Sequence, residues 1–412
     1  MLYQLHEMQR TFLNPLMQWA EASSKLFSNP VSPFAHTPFS QRIAAGYELL
    51  YRLGKDYEKP AFGIDTTTIK GKQTIGVLEH VALNKPFCRL IHFKKDISDK
   101  EFKALKQPTV LLVAPLSGHH ATLLRDTVRG LLPEHDVFIT DWTDARMVPL
   151  SEGPFHLDDY VFYVQDFIRH LGPDLHVISV CQPTVPVLAA ISLMASNKDP
   201  KLPKTMTMMG GPIDPRKSPT AVNNLAVEKP YSWFENTVVY PVPPNYPGFG
   251  RKVYPGFLQH AGFIAMNPGR HAQSHREFYM HLVKGDDEPA ESHRKFYDEY
   301  NAVLDMPAEY YLDTIKTVFQ EHRLPSGTWE VGGQLVRPQD IKSVALLTVE
   351  GELDDISGAG QTQAAHELCT GIPADKQEDY VVPQAGHYGI FSGRRWRELV
   401  CPKITQFIRQ HG

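Results

Sequence analysis

The segment Ser179-Val180-Cys181-Gln182-Pro183 puts a cysteine between a compact β-like run, His176–Val180, and a helical stretch, Thr184–Ser196. A thiol on such a turn stands clear of its strand and beside a helix N-terminus. Free N–H groups and the positive dipole end stabilise a thiolate there and can also hold an oxyanion. Two later β-like runs deliver polar residues at their carboxyl ends. Ala345–Val349 leads into Glu350-Gly-Glu-Leu-Asp354-Asp355, and Tyr380–Val382 leads towards Gln384-Ala-Gly-His387-Tyr-Gly. An imidazole can take a nucleophile's proton and return it to a leaving group. A carboxylate on its far nitrogen fixes the tautomer and stabilises the imidazolium. Cys181, His387 and one aspartate thus compose a candidate set for acyl transfer. Asp354, three residues after Gly351, is the preferred acid, with Asp355 as its alternative.

In chain order the set runs nucleophile, acid, histidine, the order of the α/β-hydrolase triad, whose usual elbow is G-x-S-x-G. Here Ser179 and Pro183 replace both glycines and Cys181 replaces the serine. Ser179 is small enough for a crowded turn, and Pro183 suits the first turn of a helix, where N–H groups lack intrahelical partners. One oxyanion donor in this arrangement is the N–H after the nucleophile, that of Gln182. The other is expected from the loop Pro115-Leu116-Ser117-Gly118-His119-His120, at Leu116 or Ser117. His119 and His120 read either as substrate or metal ligands or as polar residues opening the next helix. Trp233, Tyr240, Tyr246, Tyr254 and Phe257 read either as the walls of an apolar substrate groove or as ordinary packing.

These residues need a scaffold. From about residue 74, β-rich runs alternate with helical patterns. Ile75–Val81 and Phe87–Phe93 suggest an antiparallel pair, followed by strands at Thr109–Ala114, Val137–Asp141, His176–Val180 and Thr205–Met209. Helices are expected at His120–Leu131, Leu157–Leu171 and Thr184–Ser196. That alternation predicts a mostly parallel sheet with helices on both faces. It resumes at Val344–Glu350 and Tyr380–Val382 and closes with a helix over Arg394–Arg409. The interruption predicts an inserted cap, first rich in Pro and aromatics, then helical through Glu291–Arg323. The expected division is a helical extension (1–60), a core in two parts (61–213 and 339–412) and the cap (214–338). In the extension, Leu2, Leu5, Met8, Phe12, Leu16, Trp19 and Leu26 recur at helical spacing. Such a helix either packs on the main domain or seeks a hydrophobic surface.

Composition narrows the function classes. The 412 residues carry 42 basic against 46 acidic side chains, which leaves no electrostatic footprint for nucleic acid. Apolar residues at 42% and charged ones at 21% exclude a disordered chain. The 4 cysteines lack C-x-x-C spacing, so structural zinc and a redox dithiol are not expected, and Cys88, Cys369 and Cys401 read as structural. His271 and His275 have the spacing of a zinc helix, but Ala272 stands where the glutamate belongs. Gly358-Ala-Gly360 lacks a third glycine, and there is no phosphate-binding P-loop. Neither metal nor cofactor is therefore expected. No secretory signal is read in Met1–Arg10, and Pro186–Ala195, the most apolar run, is too short to span a membrane. These features predict a cytoplasmic protein.

The segments Cys181-Gln-Pro-Thr-Val-Pro186, Met206-Thr-Met-Met-Gly-Gly-Pro-Ile213, Gly351-Glu-Leu-Asp-Asp-Ile356 and Gly386-His-Tyr-Gly-Ile-Phe391 closely resemble those of intracellular polyhydroxybutyrate depolymerases. The resemblance extends over nearly the whole chain. It implies an α/β-hydrolase fold, a cysteine nucleophile at Cys181, a base at His387 and an acid at Asp354. It also implies action on amorphous polyhydroxybutyrate granules inside bacterial cells. Asn301–Leu324, Gly332-Gly-Gln-Leu-Val-Arg337 and Asp340-Ile341 are similar to polyhydroxyalkanoate synthases, which build that polymer with a Cys–His–Asp set. A synthase-like acyltransferase, an inactive granule-coating protein and a small-substrate esterase stand as alternatives. The oligomeric state, a homodimer included, stays open.

Overall fold

The computed structural model describes residues 2–36, 39–69 and 73–412. The main strands are β1 (Thr66–Ile69), β2 (Gln73–Lys85), β3 (Cys88–Lys95), β4 (Thr109–Val113), β5 (Asp136–Trp142), β6 (Leu175–Val180), β7 (Thr205–Met209), β8 (Ala345–Gly351) and β9 (Gln377–Val382). They form one 9-stranded sheet in the order β1-β2-β3-β5-β4-β6-β7-β8-β9. The pairs β1–β2, β2–β3 and β3–β5 are antiparallel. Every pair beyond β5 is parallel. Residues of β5, β6, β7 and β8 are buried throughout, as strands covered on both faces must be. This is the mostly parallel sheet that the alternation predicts.

In chain order the first helices are α1 (Leu2–Ser28), α2 (Ser40–Gly54), α3 (Asp99–Leu105), α4 (Arg125–Leu131), α5 (Leu157–Leu171) and α6 (Thr184–Ser196). α5 and α6 keep the bounds expected from their patterns. The helix expected from His120 opens instead as a 3-10 turn, Ala121–Leu124, and becomes α-helical only at Arg125. The closing helix is interrupted by a wide π-type turn at Trp396–Val400. Pro402 follows it and has no N–H to offer a regular ladder. α3 was not foreseen, although Ser98 and Glu101 spell the capping box that starts it.

Between β7 and β8 lie α7 (Ala221–Glu228), α8 (Tyr231–Thr237), α9 (Gly256–Met266), α10 (Pro268–Lys284), α11 (Asp287–Tyr300) and α12 (Ala308–Thr314). A small 3-stranded sheet joins Tyr240–Pro241, Lys252–Tyr254 and Met306–Pro307. The helical run expected over Glu291–Arg323 is broken after α11, where Val303 bridges to His119 and Met306–Pro307 pair with Val253 and Tyr254. Tertiary pairing there overrides local propensity. Further on, Trp329, Val331 and Val336 return to the main core, and the Gly332 N–H donates to Asp158 at 2.9 Å.

The N-terminal helices attach to this inserted region. Arg52 donates to Asp298 at 2.8 Å and to the Arg294 carbonyl at 3.0 Å, and Arg294 grips Glu48 with two bonds of 2.6 and 3.1 Å. Tyr3 donates to Asp305 at 2.6 Å, and His6 stacks on Phe257 at 3.9 Å. On α1 the buried residues are Tyr3, Met17, Ala20 and Ser24. The apolar series from Leu2 to Leu26 points to solvent instead of forming the packed face. Among the described residues no helix is long and apolar enough to cross a membrane.

Candidate active site

The chain leaves β6 at Val180 and turns through Cys181 into α6. Cys181 has φ 67°, a left-handed conformation that a side-chain-bearing residue adopts only when its surroundings impose it. Its N–H donates to the Met209 carbonyl on β7 at 2.7 Å, and its carbonyl accepts from the Thr184 N–H at 3.1 Å. Sequence alone showed a strand–Cys–helix order; the strain at the cysteine belongs to the fold. Two glycines after β7 make room. A Cβ at Gly211 would lie 2.4 Å from the Cys181 carbonyl oxygen. One at Gly210, itself at φ 56°, would lie 2.7 Å from Ile390 and 3.3 Å from the His387 ring.

His387 follows β9 at the start of a short 3-10 turn. Its Nδ1 is 2.8 Å from Asp354 Oδ2. The other carboxylate oxygen accepts the Ile356 and Ser357 N–H groups, each at 2.9 Å. The Asp354 and His387 side chains are 1% and 5% exposed, whereas Asp355 is at the surface. The Cys181 sulfur is within hydrogen-bond reach of His387. Burial by itself would push the imidazole down, but the Cys181 sulfur and the Asp354 carboxylate hold it well above its ordinary value. The geometry brings Cys181, His387 and Asp354 together and leaves Asp355 out.

The Gln182 and Leu116 N–H groups have no hydrogen-bond partner among the described residues, so both are free to face an oxyanion. Ser117 is half-buried in the same loop. Gln182 also uses its side chain: Oε1 accepts the Tyr310 hydroxyl at 2.5 Å, while the buried Nε2 is unpartnered. Tyr310 comes from α12 and is buried, which pushes its phenol up. Sequence reasoning missed it, because a tyrosine on an apolar helical face carries no signal that separates this contact from packing.

His119 and His120 are buried under the insert. His119 Nε2 lies 3.1 Å from the Tyr300 carbonyl and its ring stacks on Phe263 at 4.9 Å. The Gly118 carbonyl accepts the Leu304 N–H at 2.8 Å. Burial pushes His119 down to about 4 and His120 down to about 3, so both are neutral at neutral pH. His119 therefore fastens the loop after β4 to the insert. Trp233 packs edge-on against Phe234 at 5.1 Å, in a satellite cluster with Leu312 and Ile315. Tyr246 donates to Glu7 at 2.9 Å and lies under Arg146 in another cluster with Tyr3 and Val253. Both clusters are separate from the main core, against which Cys181, Tyr254, Tyr311 and Tyr388 each pack.

Cys88, Cys369 and Cys401 are buried free thiols; burial pushes Cys88 well up, Cys369 to about 12 and Cys401 to about 11. Thiols so shifted are poor nucleophiles. His271 lies 2.9 Å from the Tyr297 hydroxyl. No group of three or more His, Cys, Asp or Glu side chains among the described residues could hold a metal ion.

Residues 210–412 match the family described as PHB de-polymerase C-terminus. The match begins just after β7 and includes Asp354 and His387, while Cys181 lies upstream of it. A search of curated proteins finds no match. Similar solved structures include a thermophilic esterase from Thermogutta terrifontis, with 14% identity, 82% of this chain and 99% of that chain covered, and a TM-score of 0.43. A 2-hydroxy-6-oxo-6-phenylhexa-2,4-dienoate hydrolase from Rhodococcus sp. strain RHA1 shows 12% identity over 81% of this chain and 99% of that one, with a TM-score of 0.43. A bacterial membrane phospholipase A shows 12% identity over 98% of both chains, again with a TM-score of 0.43. The C-terminal part of the chain, residues 210–412, is thus similar to the PHB depolymerases, and together with the mostly parallel sheet seen here this supports an ester hydrolase.

Proposed function

We propose that the chain hydrolyses the ester bonds of amorphous poly(3-hydroxybutyrate), in bacterial storage granules, through a cysteine acyl-enzyme. The observation that carries this reading is Cys181 at a strained strand-to-helix turn, in reach of a His387 that Asp354 holds at 2.8 Å. The Cys181 thiolate attacks an ester carbonyl, and the Gln182 and Leu116 N–H groups receive the developing oxyanion. Collapse of the tetrahedral intermediate breaks the C–O bond, and the His387 imidazolium protonates the departing alkoxide. His387 then takes a proton from water, and the resulting hydroxide attacks the thioester. Cys181 leaves as the thiolate, and a 3-hydroxybutyrate oligomer or monomer is released as its acid. The segment 214–338 acts as a lid in this reading, supported by its bonds to Gln182 and to the oxyanion loop.

The test is ester cleavage on amorphous polyhydroxybutyrate granules by the wild type and by Cys181→Ala, with folding checked. Activity is expected to fall by about 10³-fold or more in the variant. Equal activity in both would remove Cys181 as the nucleophile. Inactivity of both on granules would favour a synthase-like transferase or a granule coat.

A further inference from the structure

α1 is held by one face and leaves the other uncovered. Tyr3 is bonded to Asp305, Glu7 receives the Tyr246 hydroxyl, and Ser24 donates to the Ala44 carbonyl at 3.0 Å. On the outer face Leu2, Leu5, Met8, Phe12, Leu16, Trp19 and Leu26 are between 40% and 89% exposed. Their spacing of three or four residues as far as Trp19, then two turns to Leu26, makes them one stripe, about 36 Å long at the helical rise. Beside it α2 exposes Ile43, Leu50 and Leu53. Exposed apolar surface on this scale marks an interaction site. The anchored inner face stops the helix from rolling over to bury it.

The charges on α1 point to the kind of surface it meets. Arg10 is paired with Glu7 at 3.4 Å and Asp56 at 2.7 Å, and Lys25 with Glu21 at 2.6 Å. Among the described residues of α1, both Arg10 and Lys25 are paired with carboxylates, whereas helices that seat on anionic bilayers carry unpaired cations along their polar face. Among the exposed polar residues of α1, Lys25 is held by Glu21, and Gln4, Gln9, Asn14 and Gln18 are uncharged carboxamides. Their N–H groups suit neutral ester carbonyls. Tyr3 also connects this helix to the catalytic centre: its partner Asp305 adjoins Leu304, which donates to Gly118 in the oxyanion loop.

We propose that the outer face of α1 docks on the surface of an uncharged aliphatic polyester, an inference that rests on the depolymerase reading above. The experiment uses full-length chains: wild type, Cys181→Ala, the triple variant Leu5→Ser/Met8→Ser/Phe12→Ser, and Phe12→Lys as a single change at the most exposed position. Each is sedimented with amorphous polyhydroxybutyrate particles and, separately, with phosphatidylcholine–phosphatidylglycerol vesicles. Melting and solution size are checked alongside. The triple variant is expected to bind particles at least about tenfold more weakly with unchanged melting, and Phe12→Lys to weaken binding in the same direction. Undiminished particle binding in both variants would overturn the proposal. So would tighter binding to the vesicles than to the particles, or a wild-type dimer that the triple variant turns into a monomer. Particle binding by wild type and Cys181→Ala without cleavage by the wild type would defeat the hydrolase reading and leave the docking face standing.

Discussion

Asp354 and Asp355 share a loop and a side-chain chemistry, yet only Asp354 is buried against His387, with two backbone N–H groups fixing its other oxygen. Against burial, and together with the Cys181 sulfur, the Asp354 carboxylate raises the imidazole's proton affinity, so the imidazolium persists to higher pH than an ordinary histidine would. Asp354→Asn removes that contribution. Its kcat/KM is expected to fall by about 10²–10⁴-fold, and the basic limb of its pH–rate profile to move to lower pH. Asp355→Asn should resemble the wild type in both respects. A profile that shifts for Asp355→Asn and stays put for Asp354→Asn would reverse the assignment. The offset from Gly351 already pointed to Asp354. What separates it from its neighbour is the direction each side chain takes from the turn, which residue identity leaves open.

At the scale of elements, the contact between α12 and the nucleophile turn carries the next prediction. Tyr310 donates to Gln182 Oε1, so the insert helps to set the residue proposed above as an oxyanion donor. Tyr310→Phe removes one hydrogen bond and keeps the ring in the core. We expect kcat on a soluble short-chain ester to fall by about tenfold with little change in KM. A rise in KM at constant kcat would instead give Tyr310 a role in ground-state binding. Strands β6 and β7 and helices α5 and α6 were legible in sequence, because a covered parallel sheet and its crossovers demand apolar runs of characteristic length and period. β1 was not read. The break at Asn301–Pro307 was also missed, because it depends on Val303 bridging to His119 and Met306 pairing with Tyr254, both far away in the chain.

Across the whole molecule, α1, the core and the insert meet at two buried carboxylates. Asp144 follows β5 and bonds Arg146 at 3.0 Å; Asp305 bonds Tyr3 and the Gly256 N–H at 2.8 Å. Burial, reinforced by the nearby Asp305, pushes Asp144 up to about 7 despite Arg146. A carboxyl raised in the folded state contributes stability that is complete below its ordinary value and is lost as pH climbs through the raised one. Asp144→Asn cannot titrate there. Its melting temperature relative to wild type should therefore improve by several degrees between about pH 5 and about pH 8. A pH-independent difference in thermal unfolding would contradict this junction's titration.

The sequence by itself determined the sheet class, the chain order of Cys181, Asp354 and His387 after their strands, and the existence of an amphipathic first helix. Those properties follow from local period and from what the ends of strands deliver. Tertiary structure decided which way the helix faces, because its inner side combines buried Tyr3, Met17 and Ala20 with hydrogen bonds to Asp305, Tyr246 and Ala44. It also decided that His119 braces a loop, that Tyr246 joins a satellite cluster and that Tyr310 reaches the nucleophile turn. Each of these depends on contacts between residues far apart in the chain, and spacing along a sequence carries no record of them.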